Sequence, residues 1–191
     1  MTGLREAFAG VRRALEGAGV RYALGGSWAS TAYGEPRQTN DIDMVAAFHR
    51  SSLGRFLDLL GGDFYYDRDN AFDSLRLLRP FNVIHRRLAI KFDLFPIAGE
   101  YGQTELERSQ GVEVPVLDHS PVPVVSAEDI VLAKLAWFRD GGEISRQQWR
   151  DIVGVLRAET ERIDHGYLEA WSRRLGLAGL LERALRDAAE I

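Results

Sequence analysis

Residues 25–46 read GGSWASTAYGEPRQTNDIDMVA, and the order of their parts decides the fold. A glycine turn opens the stretch. The small-residue run from Ser27 to Tyr33 suits a short helix stopped by Gly34 and Pro36, and NDIDMVAAF then reads as a strand. In a strand, residues i and i+2 share a face, so Asp41 and Asp43 project together while Ile42 and Met44 face the other way. Two adjacent carboxylates repel unless one stays protonated or a cation lies between them. Two readings stand at this point: an exposed edge where both are solvated and idle, or a cation site.

Working outward, LAIKFDLF at residues 88–95 alternates Ile90, Phe92 and Leu94 with Lys91, Asp93 and Phe95. A second strand therefore carries a lysine and an aspartate on one face. A third carboxylate beside Asp41 and Asp43 would complete an oxygen-rich site for Mg²⁺ or Mn²⁺, ions that favour carboxylates together with substrate phosphates. Such a site suits phosphoryl or nucleotidyl transfer. Gly25, Gly26 and Ser27 complement it, because a glycine turn entering a helix offers unpaired N–H groups, partial positive charge and a hydroxyl to a triphosphate. Glycine turns of this kind also serve close packing alone, and that reading stays beside the first.

The rest of the chain supports an α+β fold: a mixed sheet flanked by helices, then a C-terminal helical bundle. VRYAL is a short strand before the glycine turn. Ser51 is placed to cap a helix over SSLGRFLDLL, GGDFYYD supplies a short strand, and residues 69–79 form a helix with arginines on its outer side. FNVIH and LAIKFDLFPI, joined around Arg86 and Arg87, predict a β-hairpin. A helix follows near Glu100 to Arg108, then VEVPVL and VPVV are extended, the second an edge or linker because of its proline. Ser126 with Asp129 opens SAEDIVLAKLAWFRDGG in a capping-box arrangement. SRQQWRDIVGVLRAE and two further amphipathic helices, about 166–175 and 178–189, finish the chain. The expected domains are 1–120 and 121–191.

Composition narrows the chemistry. The 191 residues include no cysteine, so disulfides and thiolate metal sites are excluded, and the net charge of −4 argues against coating nucleic acid by charge alone. No apolar run approaches the roughly 20 residues of a membrane span, and the amphipathic, charged opening is unlike a signal peptide; a cytoplasmic location with no membrane partner is the expectation. Of 24 basic residues only Lys91 and Lys134 are lysine, which marks them as positions for a compact ammonium. Residues 76–91 are locally basic, and Arg76, Arg79, Arg86 and Arg87 are candidates to grip an acceptor's phosphates; solvated surface charge is the alternative. His49, His85, His119 and His165 lack metal-ligand spacing. Trp137 and Trp149 read as core anchors.

Gly26-Ser27, then Asp41-Ile42-Asp43 after a short helix, then Asp93 on a later strand, resembles the signature of the DNA polymerase β-type nucleotidyltransferase superfamily. More narrowly, Arg37-Gln-Thr39-Asn-Asp41-Ile-Asp43, Lys91-Phe-Asp93, the Lys134 helix and Arg150-Asp151 resemble the AbiEii-type nucleotidyltransferases, which include toxins of bacterial toxin-antitoxin and phage-defence systems. The match is spread over residues 24–152.

That resemblance implies an NTP substrate, pyrophosphate release and an acceptor hydroxyl on an RNA end such as tRNA or on a protein side chain. It also implies an antitoxin partner. Asp41 and Asp43 would bind the metals and Asp93 would complete the site. Gly26 and Ser27 would hold the triphosphate, with Lys91 supporting it, Lys134 neutralising phosphate charge and Asp151 orienting that lysine. The sequence departs from the family pattern at Gly154, where another acidic residue is common. A small-molecule acceptor of aminoglycoside type, or a silent nucleotide-binding module, are the alternatives.

Overall fold

The computed structural model describes residues 2–33 and 41–190. The expected helix stop at Gly34 and Pro36, and the Arg37 and Thr39 part of the family resemblance, lie outside the described residues. The fold is mixed α+β, and the elements in chain order are α1 (Thr2–Gly17), β1 (Tyr22–Leu24), α2 (Gly26–Tyr33), β2 (Asp41–Ala46), α3 (Arg50–Leu60), β3 (Phe64–Tyr65), α4 (Arg68–Leu77), β4 (Phe81–His85) and β5 (Ile90–Pro96). Then come α5 (Gly99–Arg108), β6 (Gln110–Val112), β7 (Val122–Val124), α6 (Ala127–Asp140), α7 (Arg146–Ala158), α8 (His165–Arg174) and α9 (Ala178–Ala189).

The strands form one sheet in the order β3-β4-β5-β2-β1-β7-β6. β2 runs parallel to β5, and β1 parallel to β7. The β1–β2, β3–β4, β4–β5 and β6–β7 pairings are antiparallel. Alternation sets the sheet's sidedness: Ile42, Met44, Phe92 and Leu94 are fully buried, whereas Asp41, Asp43, Lys91 and Asp93 lie on the more accessible face.

The chain divides into two compact units. The first contains α1, β1 and everything from β2 to β7. Its core joins the sheet's apolar face to helices. Phe48 bridges Phe56 of α3 and Phe81 of β4, with ring centroids 5.3 and 5.7 Å away. α1 contributes Phe8, Val11 and Leu15, all fully buried. It also passes so close to β3 that a Cβ on Gly10 would meet the Phe64 ring at 2.8 Å.

The second unit consists of α2 and the helices from Val125 onward. α6 packs against α7, α2 and α8, and α9 against α7 and α8. α6 is the central helix, which explains its nearly continuous apolar run. Its N-cap is Ser126, whose hydroxyl accepts from the Asp129 N–H. The box differs from the usual form, because the Ser126 hydroxyl also donates to Asp129 Oδ2 at 2.7 Å.

Two local expectations need correction. Ser51 does not cap α3: the cap position is His49, whose N–H donates to the Ser52 hydroxyl at 2.9 Å, so the helix begins before Ser51. The proline-bearing VPVV segment is not an edge, since β7 lies between β1 and β6 and the edge is β6. Pro123 registers with Gly111 of β6, while β7 meets β1 only at the pair Leu24 and Val124, away from the proline.

Candidate active site

The parallel pairing of β2 with β5 places Asp41 opposite Lys91 and Asp43 opposite Asp93. β4 continues the second row with Asn82, which registers with Asp93. On the other flank, the Gly25 N–H donates to the Asp43 carbonyl at 3.0 Å. Asn82, Asp93 and Asp43 thus form one row across β4, β5 and β2 of the first unit, continued by Gly25 just past the end of β1. The spacing between adjacent strands, roughly 4.8 Å, brings the side chains of a row within reach of one ligand.

Lys91 is the hub of this face. Its Nζ lies 2.8 Å from Asp93 Oδ2 and 3.0 Å from Asp41 Oδ2. The hydrogen bond to Asp93, then that to Asp41, raises the Lys91 pKa above its ordinary value, so the ammonium stays charged. Asp93 is more enclosed than Asp41, its side chain 16% exposed against 48%.

Three carboxylates with no sulfur or imidazole form a donor set that fits a hard divalent cation. Among the described residues, however, no three histidine, aspartate or glutamate side chains are grouped so as to hold a metal ion together. The positive charge joining Asp41 to Asp93 is the Lys91 ammonium.

After Gly25 the chain enters α2 at Gly26, whose φ of 53° lies in the left-handed region that glycine adopts without strain. Within α2 the Ser30 hydroxyl donates back to the Gly26 carbonyl. In the second unit, Lys134 is buried on α6 and its Nζ donates to Asp151 Oδ2 of α7 at 2.9 Å. Gln147 donates to the other Asp151 oxygen at 2.8 Å. The two residues singled out separately in sequence are therefore one ion pair.

No family model matches the chain, and no curated protein matches its sequence at a significant level. Two solved structures are similar in fold. One is the solution structure of the antibiotic-resistance factor ANT(2'')-Ia, with a TM-score of 0.55 and 15% identity over 95% of this chain and 97% of that one. The other is the crystal structure of an antigenic nucleotidyltransferase-like protein from Paracoccidioides brasiliensis, with a TM-score of 0.51 and 16% identity over 96% and 92% of the two chains. The chain has a nucleotidyltransferase fold.

Within this nucleotidyltransferase fold the basic stretch does not form one patch. Arg86 and Arg87 sit in the turn at the start of β5, close in sequence to Lys91. Arg86 donates to the Phe64 carbonyl and lies over the Tyr65 ring, and Arg87 pairs with Glu6 of α1 at 2.6 Å. Arg76 pairs with Asp73 on α4. Arg79 is exposed just before β4, at the opposite end of that strand from the hairpin turn.

Two features of the nucleotidyltransferase fold were not singled out in sequence, and a third was misread. Asn82 is the exposed position of FNVIH, and the alternation of that run is the signal that places it on the aspartates' face. A cavity of about 860 Å³ in the second unit is lined by Ser27 and Thr31 of α2, by Asp151, Gly154 and Arg157 of α7, and by Asp187 of α9. Its signal is the stripe Gln147, Asp151, Gly154, Ala158 at helical spacing. Trp149, expected as a core anchor, is half-buried: it lines this cavity, donates to Asp187 at 2.8 Å and packs at a tilt against the Phe138 ring, 5.0 Å between centroids. Its amphipathic indole leaves one edge to solvent.

Proposed function

We propose that this chain is an enzyme that transfers a nucleoside monophosphate from an NTP to a hydroxyl acceptor and releases pyrophosphate. The observation that carries this reading is the β2–β5 register, which sets Asp41, Asp43 and Asp93 on one accessible sheet face of a nucleotidyltransferase fold. Asp41, Asp43 and Asp93 would hold Mg²⁺ or Mn²⁺, which when bound supplies charge neutralisation at the phosphates and a more acidic acceptor hydroxyl.

The chain's own groups divide the remaining work. Asp93, more enclosed than Asp41, would take up the acceptor proton. In the Gly25-Gly26-Ser27 turn the Gly25 N–H is taken by the Asp43 carbonyl, and Gly26 and Ser27 would offer N–H groups and a hydroxyl to the phosphates. Lys91 links the carboxylates to one another. By the sequence resemblance Lys134 would neutralise phosphate charge, and its partner Asp151, itself braced by Gln147, would hold that ammonium.

Two acceptor readings follow. An RNA end or a protein side chain, in the manner of an AbiEii-type toxin held by an antitoxin, rests on the sequence resemblance and on Arg86 and Arg87 beside the Lys91 end of β5. A small-molecule acceptor of aminoglycoside type is favoured by the fold likeness to ANT(2'')-Ia, which spans nearly all of both chains, and by arginines already engaged with Glu6, Asp73 and Phe64.

The test is incubation with each of the four α-labelled NTPs and Mg²⁺, offered separately to total RNA, to cell protein and to a panel of aminoglycosides. Transfer of label to one class identifies the acceptor. No transfer to any acceptor with any nucleotide would overturn the reading.

A further inference from the structure

We propose that the second unit carries a phosphate-binding cleft of its own, formed by Arg146 and Arg150 of α7 and Arg183 of α9. It is distinct from the cavity lined by Ser27, although Trp149 and Arg150 line both. Binding there is separate from the transfer reaction, whichever acceptor that reaction uses.

The cleft has a volume of about 510 Å³, and Phe138, Glu143 and Trp149 join the three arginines in its wall. All three arginines are exposed. Other exposed arginines of the chain meet a carboxylate closely: Arg68 pairs with Asp58 at 2.7 Å and Arg173 with Glu169 at 2.9 Å. The cleft is different. Among the described residues Arg146 and Arg150 form no ion pair, and Arg150 donates instead to the neutral Gln147 side-chain oxygen at 2.9 Å. Arg183 meets Glu143 only at 4.0 Å, the outer limit of an ion pair.

Folding alone does not favour this arrangement. Arg146 and Arg150 are four residues apart on one helix, so two like charges are neighbours and repel. Glu143 holds a left-handed backbone, φ 61°, which costs energy in a residue with a Cβ, and its N–H donates to the Phe138 carbonyl at 2.8 Å. Three guanidiniums therefore face one loosely held carboxylate, in a chain whose net charge is −4. A bound anion would replace that repulsion with shared attraction.

Phosphate fits the donors best. Its tetrahedral oxygens can accept from several guanidinium forks at once, whereas a carboxylate offers two oxygens in one plane. Arg183 lies over the Trp149 ring, 4.3 Å from its centroid, and a guanidinium held against a ring keeps its N–H groups for an acceptor. The indole is fixed in turn by its hydrogen bond to Asp187.

A nucleic-acid backbone and a free phosphate share this chemistry, and two probes separate them. Without NTP or divalent metal, a short labelled single-stranded RNA is followed by anisotropy across salt concentrations and inorganic phosphate by calorimetry, with polyglutamate as the carboxylate control. Arg146→Gln and Arg183→Gln should each weaken the bound phosphate probe about tenfold. Where the probe is RNA, each should also flatten the salt dependence by about 0.7 in slope. Glu143→Gln should tighten binding, a gain that damage to the fold would not produce. These responses with RNA alone assign a nucleic-acid backbone, and with inorganic phosphate as well they assign a free phosphate; either supports the cleft. Polyglutamate bound as tightly would overturn its selectivity for phosphate. Binding of no probe, or unchanged affinities in variants with wild-type circular dichroism, would overturn the cleft itself and leave the nucleotidyl-transfer reading standing.

Discussion

Asp43 and Asp93 stand directly opposite one another in the parallel β2–β5 ladder, two acidic side chains sharing one row of the sheet. Like charges placed opposite each other destabilise a sheet by roughly 0.2–1 kcal/mol, so folding alone does not favour this pair. Asp43→Asn should leave the melting temperature unchanged or slightly raised, while nucleotidyl transfer falls roughly a hundredfold or more, as when a group that organises the reacting charge is removed. Thermal melts and labelling of the same preparations check both halves. Lost stability with retained labelling would mean that the pair is structural.

Lys134 and Asp151 invite the opposite experiment. Their side chains are only 5% and 13% exposed. Removing one member of a buried pair strands the other charge and costs about 3–5 kcal/mol. Lys134→Met should therefore destabilise the protein by about that amount, and adding Asp151→Leu should recover most of it. Urea denaturation across the double-mutant cycle measures the coupling. If the double variant regains stability and still fails to transfer nucleotide, the pair contributes to the reaction as well as to packing.

These two clusters differ in how far the sequence discloses them. Period-two alternation is a local property, so NDIDMV and AIKFDLF reveal the faces of their own side chains without further information. Register is not local. That Lys91 bridges Asp41 and Asp93 depends on two strands some fifty residues apart meeting in parallel, and nothing in either segment states the alignment. The link from Lys134 to Asp151 is hidden for the same reason: each helix discloses its apolar face, but the pairing requires knowing which turn of α6 meets which turn of α7. The VPVV segment fails differently. Its proline signals an edge as a rule of hydrogen bonding, but the strand is interior, and only its pairing with β1 is reduced to a single residue pair.

Asp118 offers a pH-dependent test in the first unit. The hydrogen bond from the Ser120 N–H is the largest influence and lowers the pKa of its carboxyl; burial opposes it, and the Arg12 guanidinium at 2.8 Å adds to the lowering, so the carboxyl lies below the ordinary value. A depressed folded pKa means that the unfolded chain binds the proton more readily. The contribution to stability is then complete above the ordinary carboxylate value and is lost as pH falls through the folded one. Asp118→Asn should lower stability near neutrality and flatten its decline in the acid range. Urea midpoints from pH 7 down to pH 3 test this, and parallel curves for the two proteins would contradict it.

The N-terminus of α6 supports the last prediction. Asp129 is completely buried, yet it accepts hydrogen bonds from the Ser126 hydroxyl at Oδ2 and from the Tyr167 hydroxyl at Oδ1, both at 2.7 Å. The Ser126 hydroxyl serves twice, since it also accepts from the Asp129 N–H. Ser126→Ala removes a helix cap, worth about 1 kcal/mol, and one donor from a buried carboxylate, worth about 1–3 kcal/mol more. Tyr167→Phe removes only a donor and should cost less than Ser126→Ala. Because both hydroxyls serve one carboxylate, the double variant should depart from additivity by more than the few tenths of a kcal/mol expected of independent sites. Guanidinium denaturation of the two single variants and the double variant measures this coupling, and strictly additive losses would show that the hydroxyls act separately.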